Sequence, residues 1–316
     1  MTVIYDALGV VFGPIMAVIY AVVKNYGVAI ILFTVFCRLL MLPSAVSQQK
    51  NQAKNQRIQY KMRKINEKYK GDRQRLAQEQ QEFYRREGYN PMSAGCSGGM
   101  LLQMPIIFGL IAAIYRPLQY TVKSSSEVIK VLSEKAGEIL GDPKLVPGNL
   151  QIQLRITENI EKFAGLFDEG KLGLGEFDKI HAFAENFKFL GLQLGVTPKE
   201  GGTFIYYLIP VLVGVTSMVT SVYTTLRQRK TNPGQQQGGA MMMVMSLGMP
   251  LMSVMFSLSF PVGIGIYWIV SSLAGLVQIM ALGWTHPPQK MLARSMVDET
   301  IERRSRENSR KKMAEI

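Results

Sequence analysis

The sequence predicts an all-α polytopic membrane protein, and three observations support that prediction. From Gly239 to Pro288 there is not one Asp, Glu, Lys or Arg in fifty consecutive residues. A water-facing domain distributes charges over its surface, so this stretch excludes a single-core soluble enzyme. Other runs approach the roughly 20 apolar residues that a spanning helix needs. The charges, which sum to +13, are concentrated between those runs.

Five long apolar segments are candidate spans: about 28–47, 99–120, 203–226, 240–259 and 262–284. A sixth segment, 7–23, is shorter and is broken by Gly13-Pro14. From its residues alone it either spans the membrane or lies in the interface. It lacks the basic start of a cleaved signal peptide, because Asp6 is the sole charge before Lys24.

The charges between the spans predict their orientation. Segment 50–90 carries a net charge of +7, the short loop 227–230 carries +3, and the tail from residue 285 carries +3. Segment 123–202 carries −2. The positive-inside rule therefore places the three basic segments in the cytoplasm and 123–202 outside. Five spans satisfy this alternation of sides.

Segment 50–90 is too polar to span and predicts a cytoplasmic helical hairpin. Apolar side chains recur at helical spacing before a break at Gly71-Asp72: Ile58, Met62, Ile65 and Tyr69. The basic face of this hairpin suits either lipid headgroups or an RNA-rich or acidic partner.

Segment 123–202 is predicted to be mainly helical. Ser124–Ser126 followed by Glu127 is typical of a helix N-terminus. Apolar residues at 150, 152, 154 and 156 alternate strictly and permit a strand, although helices are favoured there. The sequence alone does not indicate what this segment does.

Arg38 lies about ten residues into the first long span, which predicts a guanidinium near the middle of the bilayer. Such a placement costs at least about 2.5 kcal/mol. The spans contain no Asp or Glu that would pair with it. Arg38 is therefore hydrated, bonded to backbone carbonyls, or free to attract an acidic guest; the alternative is a side chain that reaches an interface.

Polar side chains within the spans predict a hydrophilic groove around Arg38: Thr34, Gln103, Thr216, Ser217, Thr220, Ser221, Ser271, Ser272 and Gln278. Serine and threonine also serve as ordinary helix-packing residues in membranes. A cavity without acidic residues is a poor ion-coupled transporter. A groove that transiently accepts a polar, preferably acidic, peptide segment fits better.

No residue pattern predicts catalysis, a cofactor or a metal site. Cys37 and Cys96, like His181 and His286, are isolated from one another. The sequence contains no GxxxxGK[ST], GxSxG or HExxH motif, so we expect neither nucleotide nor peptide hydrolysis.

Several segments resemble the YidC/Oxa/Alb membrane protein insertases. They are NYGVAIILFTVFCRLLMLP (25–43), GYNPMSAGCSGGMLLQMPIIFGLI (88–111), LIPVLVGVTSMVT (208–220) and LSFPVGIGIYWIVSSLAGLVQ (258–278). The resemblance covers all five spans and the hairpin in order, and it does not extend to 123–202. The GCSG run at 95–98 stands where relatives often have a GCLP-like run.

The resemblance implies five transmembrane helices around a hydrophilic groove open to cytoplasm and lipid, with an N-terminal interfacial helix. Arg38 matches the groove arginine, which attracts acidic residues of a substrate's translocated tail. Thr34 and Trp268 match positions that contact the substrate's hydrophobic helix. Thr220 stands where relatives often have Gln. The candidate substrate-binding residues are Arg38, Thr34, Gln103, Ser217, Thr220, Trp268 and Ser271, with no catalytic or metal-binding residue.

We therefore expect a non-enzymatic insertase in the bacterial plasma membrane, with the hairpin and C-terminus cytoplasmic. Expected partners are nascent membrane proteins, the ribosome, the signal recognition particle pathway, the Sec translocon and membrane lipids, but not DNA. The alternative is a non-insertase membrane scaffold or a small-solute transporter. The expected segments are an interfacial helix 1–25, spans 26–48, 92–122, 203–226, 240–260 and 261–284, hairpin 49–91, outer insertion 123–202, loop 227–239 and tail 285–316.

Overall fold

The computed structural model describes residues 2–88, 98–168, 172–200, 203–231, 239–285 and part of 287–308. Cys96 with most of its GCSG run, His286, and residues 232–238 of the predicted cytoplasmic loop lie outside the described residues.

The described chain is mostly helical, which confirms the all-α class. The helices are α1 Thr2–Val23, α2 Tyr26–Leu40, α3 Leu42–Lys68, α4 Arg73–Arg86, α5 Gly98–Tyr115, α6 Ser126–Leu140, α7 Ile152–Glu158, α8 Ala164–Asp168, α9 Leu174–Asn186, α10 Leu208–Thr231, α11 Gly239–Ser259 and α12 Val262–Thr285. Shorter turns are a π-helical turn at Leu118–Val122 and 3₁₀ turns at Ile160–Phe163 and Phe204–Tyr207. Strands β1 (Lys188–Phe189) and β2 (Leu192–Gln193) pair antiparallel.

Two stretches of the described residues are long and apolar enough to cross a membrane, Phe204–Arg227 and Val262–Thr285. A third candidate span is present if the bent pair of helical stretches Tyr26–Leu40 and Leu42–Asn51 is taken as one span. Shorter apolar helical stretches cover Ala7–Val23, Gln103–Tyr115 and Pro250–Ser259. These helices are those of an α-helical membrane protein, and the number five stays a prediction.

The chain divides into two compact units. The first comprises Met1–Leu40, Leu102–Ser221 and Leu247–Gly275, and the second comprises Met41–Leu101, Val222–Ser246 and Leu276–Ile316.

Within the first unit, the outer segment (residues 123–200) has an apolar core of its own. Buried side chains from α6, α7 and α9 meet there, among them Leu132, Ile156 and Ile180. Helix α6 begins as its sequence predicts, because the Ser125 hydroxyl accepts a hydrogen bond from the Val128 amide.

The alternating residues that permit a strand lie in a helix, α7. Ile152, Leu154 and Ile156 are buried, but so are Gln153 and Thr157 between and after them. Since the helix is covered on most sides, its apolar pattern does not mark a single face. The Thr157 hydroxyl is satisfied by the Gln153 carbonyl at 2.7 Å.

The outer segment supplies hydrogen-bond acceptors to the start of α12. The first amides of a helix have no partner within that helix. Here the amide of Val262 donates to the Val196 carbonyl at 3.0 Å, and the amide of Gly263 donates to the Leu194 carbonyl at 2.9 Å. The polypeptide after β2 is thus bonded directly to the end of a candidate spanning helix.

The second unit contains α3 and α4, whose facing sides are joined by polar contacts. Lys61 forms an ion pair with Glu87 at 2.7 Å, and Gln80 donates to Asn66 at 2.8 Å. The Asp72 side chain caps α4 by accepting from the amides of residues 74 and 75. Ile58 and Met62 of the predicted seam are buried.

Candidate functional site

Arg38 lies in the last turn of α2, four residues before α3 begins at Leu42. Its Nη2 donates to the backbone carbonyl of Ser271 at 2.9 Å and to the Ser271 hydroxyl at 2.6 Å. Of the states that the sequence left open for this guanidinium, the structure shows bonding to a backbone carbonyl. The side chain is half-buried.

A row of polar groups continues from Arg38 along α12. The Tyr267 hydroxyl lies one turn before Ser271 and is within hydrogen-bonding reach of the Ser271 side chain. Gln103 of α5 donates from Nε2 to the Tyr267 hydroxyl. We call Arg38, Ser271, Tyr267 and Gln103 the polar chain; its members come from α2, α5 and α12.

Two of the predicted threonines bond to helix backbone. The Thr34 hydroxyl donates to the Ile30 carbonyl at 2.6 Å, and its side chain is only 1% exposed. The Thr220 hydroxyl lies 2.9 Å from the Thr216 carbonyl in its own helix and 3.3 Å from the Ser272 carbonyl of α12. Ser217 is half-buried. These contacts are the helix-packing role that serine and threonine often have in membranes.

Trp268 packs with one aromatic ring of α11 and one just after it, rather than with the polar chain. Its ring centroid lies 6.3 Å from that of Phe256 and 6.1 Å from that of Phe260. Such tilted and edge-to-face contacts are favourable for aromatic pairs. Of the methionines on the same helix, Met252 and Met255 are exposed.

Two residues of this site were missed by the sequence reasoning. Tyr267 lies inside the GIGIYWIV run, and its position four residues before Ser271 is the one signal that would have found it. Gly275 lies beside the guanidinium, because a Cβ built there would sit 3.5 Å from Arg38 Nη2. The absence of a side chain at residue 275 leaves the space that Arg38 occupies.

An apolar layer lies one to two turns along α12 from the polar chain, toward the outer segment. A Cβ built on Gly263 would lie 3.3 Å from Ile30 Cδ1 and 3.4 Å from both Ile114 Cδ1 and the Leu194 carbonyl oxygen. Ile30 and Ile114 are fully buried. The polar chain is therefore flanked at this end by aliphatic side chains of α2 and α5 that pack closely against Gly263 of α12.

Apolar helices with polar groups bonded between them define the class of an all-α membrane protein. The matching family model is described as the 60Kd inner membrane protein and covers residues 18–286. This chain belongs to that family, which confirms the resemblance seen in the sequence.

Curated relatives include the membrane protein insertase MisCA of Bacillus subtilis (strain 168), which is 26% identical over 258 residues, 80% of this chain and 69% of the relative. The membrane protein insertase YidC of Zymomonas mobilis is 29% identical over 296 residues, 92% of this chain and 38% of the relative. The membrane protein insertase YidC 2 of Bacillus anthracis is 25% identical over 260 residues, 81% of this chain and 71% of the relative. This chain thus spans most of the Bacillus proteins and well under half of the Zymomonas protein.

Proposed function

We propose that this protein is a membrane protein insertase that receives nascent membrane proteins in a hydrophilic groove bearing Arg38 and releases their hydrophobic segments into the bilayer. The relatives named as insertases support the general activity. The observation that supports a role for Arg38 is its surroundings. The five candidate spans predicted from the sequence contain no Asp or Glu, and the Arg38 guanidinium bonds to a serine carbonyl and hydroxyl.

A guanidinium held in this way keeps its positive charge without a neutralising partner from the spans. Arginine is the most basic of the protein side chains and stays protonated in proteins. A carboxylate of a client tail therefore gains Coulomb attraction, which is stronger in the low dielectric of the membrane than in water. Hydrogen bonds from a guanidinium to a carboxylate are also stronger than those to a neutral carbonyl.

The release step follows from the apolar surface of the spans. Water and one positive charge part-way across the bilayer shorten the path of a polar tail through hydrocarbon. The hydrophobic segment of the client then moves along exposed aliphatic side chains into lipid. Removal of its apolar surface from water drives this step and contributes about 25 cal/mol per Å². No nucleotide is needed for this sequence of events.

The proposed topology is five spans, with α1 in the interface, the α3–α4 hairpin and the C-terminal tail in the cytoplasm, and 123–202 outside. The charges of the connecting segments support it. We include the ribosome, the signal recognition particle pathway and the Sec translocon as proposed partners. The basic α3–α4 hairpin and the basic C-terminal tail would present cationic surfaces to RNA-rich or acidic partners in the cytoplasm.

The test is insertion of single-span clients into proteoliposomes that contain the full chain. Arg38→Ala is expected to slow insertion of a client with an acidic tail by about tenfold or more, which corresponds to about 1.4 kcal/mol. Arg38→Lys is expected to restore most of the rate, because it retains the charge.

Two controls make this result specific. A client with a neutral tail should insert at nearly the same rate with either Arg38 variant. Arg116→Ala removes an arginine that lies outside the polar chain, and it should leave the insertion rate of acidic-tail clients unchanged. Equal insertion of acidic-tail clients by the native protein and Arg38→Ala would overturn the charge-attraction mechanism.

A further inference from the structure

The turn that joins β1 to β2 has an unusual residue in a strained position. Leu190 and Gly191 form this two-residue turn with φ angles of +49° and +81°. Turns with both φ angles positive favour Asn-Gly, because the left-handed region is costly for other L-residues. Leu190 is also 83% exposed within the chain. A large apolar side chain at a strained, uncovered turn is a poor choice for a hairpin surrounded by water.

Contacts fix the hairpin at the ends of the apolar helices. The Asn25 side chain, just before α2, donates to the Lys188 carbonyl at 3.3 Å. A Cβ on Gly27 would clash with the Phe189 side chain, so α2 and β1 are in close contact. The Gln193 amide donates to the Tyr206 hydroxyl at 3.4 Å, at the start of the Phe204–Arg227 span.

The surface next to these contacts is apolar and exposed. Phe204 is 87% exposed and Ile205 is 48% exposed in the turn that contains Tyr206. The exposed apolar surface continues along α10 through Val211 and Val215. In a candidate spanning helix, such side chains face lipid. The hairpin therefore lies beside a surface that enters the bilayer.

Basic side chains border the same turn. Lys188 precedes it in β1, and Lys24 lies in the α1–α2 connection next to Asn25; both are exposed. Lysines near a bilayer surface place their ammonium groups at the level of lipid phosphates while their stems contact apolar groups. An exposed Leu with flanking lysines is the arrangement that an interfacial anchor needs.

We propose that the Leu190 turn inserts into the headgroup–acyl boundary of the leaflet on the side of the outer segment, with Lys24 and Lys188 at the level of the lipid phosphates. The turn thereby anchors the outer segment to the bilayer. Lipid, rather than a client or a second copy of the chain, is the occupant because the turn is bonded to helix ends whose adjoining surface is itself lipid-facing.

The first experiment measures the depth of a spin label at residue 190. Leu190→Cys is made in the full chain with Cys37→Ala and Cys96→Ala, labelled with a nitroxide, and reconstituted in vesicles of phosphatidylethanolamine and phosphatidylglycerol. We expect the collision rate with oxygen to exceed that with a water-soluble nickel chelate severalfold. Val146→Cys is the matched control, since Val146 is 56% exposed on a connecting turn of the same segment; its label should show the reverse ratio.

Two outcomes would overturn the proposal. A label at 190 as accessible to nickel as the label at 146 would place the turn in water. Low accessibility to both oxygen and nickel would show that protein, either a second copy or another chain, covers the turn.

A second variant separates anchoring from backbone strain by the sign of its effect. Leu190→Asn introduces the residue that the turn prefers and removes the apolar group. If lipid holds the turn, hydrogen exchange of the 188–193 amides in the same vesicles becomes severalfold faster despite the better turn residue. Slower exchange would mean that relief of strain dominates, and the anchor would be disproved.

Discussion

The outer segment and the candidate spanning helices of the first unit are built on opposite patterns. In the outer segment, apolar side chains such as Leu132 and Phe163 are fully buried, and the Lys135–Glu138 ion pair lies on the surface. In the apolar helices, Val215 and Leu251 are more than half exposed, whereas Thr34 and Ser271 are buried. One chain thus follows two sets of rules, because its two regions have different solvents.

The difference shows what stabilises each region. Water drives Leu132 inward, since apolar surface removed from water stabilises the fold. Lipid is as apolar as Leu251, so that side chain gains little from burial. Contacts between spanning helices therefore come from close approach and polar groups, such as Arg38 with Ser271.

The largest difference between the two regions is expected when the same substitution, leucine to alanine, is made in each. Leu132→Ala leaves a cavity in the outer core and is expected to cost about 3 kcal/mol of unfolding free energy. Leu251→Ala, at a side chain 63% exposed within the chain, is expected to change it by less than about 0.5 kcal/mol. Thermal unfolding of the full chain in nanodiscs, with hydrogen exchange of the α6 and α7 amides, measures both.

Two results would count against the comparison. Equal losses for the two alanines would mean that α11 is packed against protein at Leu251. A negligible loss for Leu132→Ala would mean that the outer core adjusts to fill the cavity and is not close-packed.

A smaller effect is expected from filling the space beside Arg38. Gly275→Leu places a side chain where the guanidinium lies, since even a Cβ would sit 3.5 Å from Nη2. Losing a charged hydrogen bond of about 1.5 kcal/mol predicts about tenfold slower insertion of acidic-tail clients. Gly248→Leu is the matched control, because a Cβ on Gly248 meets nothing within 4 Å. Proteoliposome insertion rates measure the difference.

Equal insertion rates for Gly275→Leu and Gly248→Leu would contradict the prediction that the position of the Arg38 guanidinium affects insertion. Normal unfolding temperatures for both variants would exclude misfolding as the cause of a selective loss. Gly275→Ala should be nearly neutral, because its Cβ makes ordinary van der Waals contact.

Composition and charge predicted much of the fold, because a bilayer demands long uncharged helices and loops of biased sign. They did not predict the hairpin around Leu190, since two-residue strands are too short to show a period. For α7 the sequence favoured a helix, which the structure confirms, but it also permitted a strand. Alternating residues mark one face only when the other face meets water, and Gln153 is buried like its neighbours.

The candidate site was predicted in part for a similar reason. Arg38 was conspicuous as a charge in an apolar run, and Ser271 was among the polar span residues; the structure brings these two together. Which polar residues of other spans lie near Arg38 depends on the rotation of each helix, which sequence spacing within one helix does not give. Tyr267 and Gly275 were missed for that reason, while Trp268 contacts aromatic rings instead.

The smallest expected effect concerns a buried carboxylate in the outer segment. Burial raises the pKa of Glu158 despite the nearby Arg155 guanidinium. Its Oε1 is buried without a hydrogen-bond partner among the described residues. The folded state therefore binds a proton more readily than the unfolded chain, so Glu158 lowers stability progressively as pH rises above about 4.3, the ordinary glutamate value.

Glu158→Gln removes that ionisation and retains the shape of the side chain. We expect its unfolding temperature in nanodiscs to exceed that of the native protein by a few degrees at pH 7, with the gain vanishing near pH 4. Glu185→Gln makes the same charge change at an exposed residue and should be nearly neutral at both pH values. A loss of stability in Glu158→Gln at pH 7 would show that attraction to Arg155 outweighs burial, and that this ion pair stabilises the outer segment.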